Sequence, residues 1–334
     1  MRTRFLSARI LVAAFLATGT AALTSGCGGD DDDDVDAGPG DDPDGSTGDD
    51  DGNDPHDGDG SDDGDGSADA AVVDGYQALL TTDWTLPPPN DPTPDRYFCA
   101  DITVEEDVLV SSFRTISPNG THHTVLSVGP PNGPDSDGYL CGVGDNRTAL
   151  LYASGVGTDD FTFPDGVGLR IEAGQQIRLN VHTFNATDFD LSGTSGVAVK
   201  IVPEVETEAE FILAGPIGFV LEDDEAPQEV SGSCPVPADG VVLSWWPHMH
   251  KLGTHMTIDI DGDVVHDEDF RFTEQVNYPT ERAVTAGETI NVTCRYVNTT
   301  NGPVTWGDSS NREMCFAGFY RYPKAGQGLC TGSF

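Results

Sequence analysis

An all-β fold, arranged as two tandem antiparallel jelly-roll or β-sandwich domains behind a leader and an acidic tether, is what three features of this sequence predict. Short alternating or β-branched runs recur between Gly, Pro, Asn and Asp clusters from residue 75 onward, with almost no helical periodicity. The 334-residue length exceeds one ordinary β-domain and suits two plus a leader. A weak echo, Ala173-Gly174, Ile177, Asn185 and Thr187, returns 113 residues later as Ala286-Gly287, Ile290, Asn298 and Thr300. That repetition suggests one architecture used twice, although an Ala-Gly turn before a strand is common in β-proteins.

The chain begins as a targeting signal over residues 1–27. Arg2, Arg4 and Arg9 precede a nearly continuous apolar run from Ile10 to Leu23, and small residues lead into Cys27. Leu23-Thr24-Ser25-Gly26-Cys27 resembles a bacterial lipobox, with Thr24 where leucine is usual, so Cys27 is expected to be lipidated. The apolar run is shorter than the roughly 20 residues a membrane span needs. These features place the mature protein in the bacterial cell envelope, lipid-anchored on the periplasmic or outer surface, and touching the membrane only through that anchor. Residues 28–74 are dominated by Asp, Gly, Ser and Pro, with one histidine (His56) and no Lys or Arg, and are expected to form a disordered, extended tether.

The net charge of −41 divides unevenly. The leader carries +3 and the tether −20, which leaves −24 on residues 75–334. A surface this acidic argues against nucleic acid or anionic lipid as a partner. With Cys27 set aside, six cysteines remain (Cys99, Cys141, Cys234, Cys294, Cys315 and Cys330), an even number that in an exported protein suggests three disulfides.

Strand-like runs lie at residues 108–113, 123–128, 177–182, 197–202, 211–214 and 241–246. Residues 256–260 and 264–266 flank Asp261-Gly262-Asp263 and read as a hairpin. The folded part is divided into residues 75–205 and 206–334, joined near residues 203–210.

Seven histidines fall in this region, unevenly. His122 and His123 are adjacent, with His182 later in the same half; His248-Met249-His250 lies in the other half, with His255 just beyond. On an extended strand His248 and His250 project to one face and can close on one ion. Adjacent histidines point oppositely unless the backbone bends, and Pro118-Asn119-Gly120 makes a bend plausible. Imidazole suits several metals, whereas a thioether favours Cu(I). Apart from the initiator the chain has only Met249, Met256 and Met314. A His-x-His pair with one distant methionine would make a cuprous site open to dioxygen, and a three-histidine site would suit a copper that cycles electrons. Incidental surface histidines are the plainer alternative for either pair taken alone.

The sequence resembles the copper type II, ascorbate-dependent monooxygenases, the group of peptidylglycine α-hydroxylating monooxygenase and dopamine β-hydroxylase. The matching segments are Tyr97-Phe98-Cys99, Thr121-His122-His123, Leu179-Asn180-Val181-His182, His248-Met249-His250 with Leu252-Gly253, and Glu313-Met314-Cys315. They fall in the family's order across residues 90–334. The resemblance implies two copper ions: an electron-transfer copper on His122, His123 and His182, and an oxygen- and substrate-binding copper on His248, His250 and Met314, the catalytic set. It also implies disulfides joining Cys99 to Cys141, Cys234 to Cys330 and Cys294 to Cys315. The implied reaction hydroxylates a substrate C–H bond with O2 and a one-electron donor such as ascorbate, in a monomer.

Two departures concern the substrate. Where the peptide-amidating branch has a carboxylate-binding arginine, this chain has Trp246; where that branch has a substrate-binding tyrosine, it has Gly318. Trp245, Trp246 and Phe316 therefore point to a small or apolar substrate, with Trp246 and Phe316 as binding residues. His255 and His266 match no ligand and read as surface or supporting residues; Met249 and Met256 read as packing residues. The alternatives are a non-catalytic copper-binding or electron-transfer surface lipoprotein, and a jelly-roll binding module whose histidines are incidental.

Overall fold

The computed structural model describes residues 74–88 and 95–331, except Val143, Val156, Ala186, Asp308 and Ser310. The leader, Cys27 and the acidic tether up to Val73 lie outside the described residues. The described residues belong to one compact unit and contain no helix, so none is long and apolar enough to cross a membrane.

The fold is all-β, built from two pairs of stacked sheets. In the first pair, one sheet runs Gln77–Leu86, Leu191–Ile201, Val108–Ile116, Val167–Ile171, Thr207–Glu208. Its partner runs Ser136–Leu140, Asp95–Thr103, Gln176–Phe184, Thr121–Gly129, Ala149–Gly155. In the second pair, Tyr278–Val284, Gly240–Met249, Cys315–Tyr322, Glu210–Ala214 and Leu329–Cys330 face Pro227–Pro235, Thr289–Val297, Gly253–Ile260 and Asp263–Asp269. The ladders are antiparallel apart from two short parallel pairings, Thr207–Glu208 with Val167–Ile171 and Glu210–Ala214 with Leu329–Cys330. Ladder partners change pair between Glu208 and Glu210.

The predicted hairpin is present, with Ile260 opposite Asp263. Its loop is the two residues Asp261 (φ 49°) and Gly262 (φ 88°), whose positive dihedrals match the strands' twist. Behind it, His255 bonds Asp267 through Nε2 at 2.8 Å and Asp269 through Nδ1 at 3.0 Å. Carboxylates only accept, so both bonds form together only when both ring nitrogens carry protons, that is, with the imidazole cationic. These bonds, Asp267 first, raise its pKa against partial burial and the nearby Arg295. A raised folded value stabilises fully below the unfolded pKa near 6.5, and that gain is lost as pH rises through the folded value. The melting-temperature gap between the parent and His255→Gln should therefore be widest in mild acid and close above neutrality; a gap constant from about pH 5 to pH 9 would refute this account.

The sequence echo corresponds to a repeated set of bonds. Asn185 accepts from the backbone N–H and the hydroxyl of Thr187 and donates to Pro87 and Phe189 carbonyls. Asn298 accepts in the same way from Thr300 and donates to Leu221, Glu222 and Gly302 carbonyls. The Ala-Gly turns match too: Gly174 N–H donates to Val104 and Gly287 N–H to Val236, while Ala173 and Ala286 N–H bond Asp107 and Asp239.

Two apolar cores form. One fills the second pair of sheets around Trp245, Phe319, Met249 and Met256, all essentially inaccessible. The other fills the first pair around Phe113, Leu126 and Leu179, and continues into Phe211, Leu243, Trp246 and Tyr320 of the second pair. The seam between the pairs is therefore packed core over much of its area. Trp245 and Trp246, as neighbours on one strand, project to opposite faces and so serve different cores. The disulfides Cys99–Cys141, Cys234–Cys330 and Cys294–Cys315 are all present.

Candidate metal centre

His122 and His123 reach one side because the strand is bulged between them. Thr121 pairs with Thr183 and His123 with His182, which leaves His122 as the extra residue. A bulge re-aims a side chain in this way. The chain enters through a turn in which Thr121 N–H donates to Pro118 carbonyl. His182, directly opposite His123, shares its face, and its ring stacks on Tyr97 at 4.5 Å.

The three imidazoles converge. His123 Nδ1 lies 3.3 Å from His122 Nδ1 and 3.4 Å from His182 Nδ1. One nitrogen has either one proton or one lone pair, so it cannot satisfy both neighbours well. A metal can. With metal–nitrogen bonds of about 2.0–2.1 Å, ligands on a tetrahedral or trigonal ion sit about 3.3–3.6 Å apart. Burial, and then the neighbouring His182 and His122, hold His123 well below its ordinary pKa, so its lone pair is available near neutrality.

The second set sits where Gly240–Met249 pairs with Cys315–Tyr322. His248 is opposite Phe316 and Met249 opposite Cys315, so continuing the register brings Met314 beside His250. Both rings are oriented by partners that sequence reading had missed. His248 Nδ1 bonds Gln275 Oε1 at 2.7 Å, and the Gln275 amide is itself fixed by donating Nε2–H to Phe272 carbonyl. His250 Nδ1 donates to Arg312 carbonyl at 2.9 Å. With Nδ1 protonated on both, Nε2 is left as the lone pair, the arrangement usual for metal-binding imidazoles. Burial lowers the pKa of His248 to about 4 and that of His250 to about 3.

Met314 is held by its surroundings. Tyr296 donates its hydroxyl to the Met314 carbonyl at 2.7 Å, and Cys315 next to it is bridged to Cys294. The fully buried Glu313 accepts from the backbone N–H groups of His250 (3.0 Å) and Leu252 (2.8 Å), clamping the His-x-His strand end to the methionine segment. Burial pushes its carboxyl up to about 7, partly offset by these bonds and one from Met314 N–H. Glu313 had a sequence signal, since it stands beside Met314 in a matching segment; Gln275, 27 residues from its histidine, had none.

The two sets adjoin. The rings of His123 and His248 are 6.3 Å apart, and His248 and His250 5.2 Å. His123, His248, His250 and Met314 line one cavity of about 230 Å³, with Trp246 and Phe316 in its wall. Trp246 lies face to face with His248, centroids 5.0 Å apart. At Gly318 an added Cβ would come within 2.6 Å of Phe211 and 3.1 Å of Trp246, so these rings occupy the space a tyrosine there would need. His255 lies on the hairpin, and His266 is buried against Tyr278, ring centroids 4.7 Å apart; neither lines the cavity.

No family model matches the chain, and no curated protein matches it. Among solved structures it aligns with the VP2 subviral particle of infectious bursal disease virus at 10% identity and TM-score 0.22, covering 77% of this chain and 74% of that one. The Gx strain of the same virus aligns at 8% identity and TM-score 0.21, over 77% and 75%. Dimeric latent PorU from Porphyromonas gingivalis aligns at 10% identity and TM-score 0.19, over 67% and 24%. None of these alignments bears on the chemistry of the site.

Proposed function

We propose that this chain is a copper monooxygenase that uses ascorbate or another one-electron donor to hydroxylate a C–H bond of a small, apolar substrate. One observation carries the reading: His123, His248, His250 and Met314 line one mainly apolar cavity, and His123 is grouped with His122 and His182, their ring nitrogens 3.3 and 3.4 Å from its own. Soft and hard donors are divided as copper chemistry would use them, with thioether available on one side and nitrogen alone on the other.

Copper bound there would supply one-electron transfer and dioxygen activation, two electrons and two protons taking R–H and O2 to R–OH and water. The protein's part is orientation and exclusion. Gln275 and the Arg312 carbonyl fix the tautomers of His248 and His250, Glu313 and the Cys294–Cys315 bridge hold Met314 towards them, and Trp246 and Phe316 keep the cavity apolar. The disulfides suit an oxidising compartment, and lipidation at Cys27 would tether the protein to the envelope.

Copper stoichiometry tests the proposal. The full chain should hold two coppers, with His182→Ala and Met314→Ala each weakening a different one. Gln275→Ala, which removes the acceptor of His248 Nδ1, should weaken the Met314-side copper by about 10–100-fold and spare the other. Absence of specific copper, or His182→Ala and Met314→Ala variants that still hold two, would overturn the reading.

A further inference from the structure

Residues 271–276 connect Asp263–Asp269 to Tyr278–Val284, strands of the two facing sheets of the second pair. The loop is closed by Glu274 N–H donating to Arg271 carbonyl at 3.0 Å and by Gln275 Nε2 donating to Phe272 carbonyl at 3.1 Å. Contacts then cross the seam in both directions. The Phe272 ring packs on His122 of the first pair, centroids 4.6 Å apart, while its edge-on contact with His250 is longer at 6.4 Å. From the first pair, Thr158 donates its hydroxyl to Gln275 carbonyl at 2.9 Å and accepts from Gly155 N–H at 3.0 Å.

The fit is closest at Gly155. This residue is the ladder partner of His123, and an added Cβ would come within 2.7 Å of Gln275 Cβ and 2.9 Å of its carbonyl oxygen. The strand that pairs with His123 therefore abuts the residue whose side chain holds His248. Neither Phe272 nor Thr158 lines the cavity, so any effect they have on it passes through the histidines.

We propose that this loop is a positioning element shared by both metal sets, each set being completed from the other half of the chain: Phe272 seats His122, and Thr158 and Gly155 seat Gln275 and through it His248. The proposal rests on the reading that both sets hold copper. An imidazole binds a metal tightly when its ring is already held in the binding orientation, and the groups that hold it change affinity without touching the ion. At a bulge the direction of a side chain is set locally, so the ring packed on His122 helps to fix where its nitrogens lie.

Competition with a chelator measures copper affinity one site at a time, in Met314→Ala for the His182 side and in His182→Ala for the Met314 side. Phe272→Leu should weaken the His182-side copper about 3–10-fold, the worth of one ring pair, and leave the Met314 side unchanged. Thr158→Val keeps the shape and removes the hydroxyl; it should do the reverse, also about 3–10-fold, the worth of one net hydrogen bond. Gly155→Ala should weaken both, because lifting the loop moves Phe272 and Gln275 together. Phe272→Tyr keeps the ring and should restore both the parent affinity and the Cu(II) electron paramagnetic resonance spectrum that Phe272→Leu alters. A merely structural role would lower the unfolding midpoint and leave that spectrum alone. Two coppers in the parent, with Phe272→Leu and Thr158→Val each weakening only the copper of its own half, or neither, would overturn the proposal. The crossed pattern without hydroxylation by O2 and ascorbate would leave the loop's role standing and remove the monooxygenase reading. No specific copper in the parent would remove both.

Discussion

Replacing Tyr320 with alanine should destabilise the fold by about 3–5 kcal/mol, the range for deleting a buried aromatic from a packed core. Tyr320 belongs to the strand after Met314, yet its ring packs among residues of the first pair of sheets: parallel to Phe161 at 4.2 Å and edge-on to Phe163 at 5.0 Å. Its hydroxyl donates to Leu151 carbonyl at 2.9 Å, also across the seam. Tyr320→Phe separates the two contributions. It keeps the ring and leaves the carbonyl without this donor, which should cost about 1–3 kcal/mol. Denaturant unfolding of the two variants measures the difference, and similar values would show that the ring contributes little. A loosened seam should also weaken copper binding at both proposed sites together, because His123 and His248 face each other from opposite sides of it. His182→Ala should weaken only one.

Much of this architecture was legible in the sequence because strand periodicity and turn chemistry are local. The run at 241–246 lies within Gly240–Met249, and the Asp-Gly turn places its hairpin one residue from the boundary first read. Convergence of His248 and His250 follows from alternation along a strand. That of His122 and His123 does not: it needs the bulge, which Pro118-Asn119-Gly120 only hinted at. The disulfide partners came from family resemblance, since six cysteines alone leave 15 pairings. What local pattern could not reveal is long-range. Nothing near Gln275 marks it as the partner of His248, and nothing around Tyr320, Phe161 or Phe211 shows that these residues fill one continuous core instead of an open cleft.

Asp101→Ala should be comparably costly, about 3–5 kcal/mol, because it would strand buried cations. The Asp101 carboxylate accepts from Arg147 Nη2 at 2.7 Å, from Arg178 Nε at 2.9 Å and from the Tyr139 hydroxyl at 2.6 Å. Arg147 is almost as buried as the aspartate. Burial pulls the carboxyl pKa up, but the bonds from Arg178, Tyr139 and Arg147 together hold it below the usual range. A depressed folded pKa stabilises above the unfolded value near 3.9 and loses that contribution as pH falls through the folded one. The stability gap between the parent and Asp101→Ala should therefore be full at neutral pH and shrink below about pH 4. Pairing is tested by adding Arg147→Met: removing one stranded cation from Asp101→Ala should recover part of the loss, whereas in the parent the same change should be destabilising. Additive costs would mean that the charges act independently. The network matters beyond stability, because Asp101 lies two residues from Cys99 on the strand paired with the His182 strand. Through Arg147 it holds the segment after Cys141, whose Gly144 and Asn146 close one side of the cavity. Loss of Asp101 should therefore relax that wall without changing any of the proposed copper ligands.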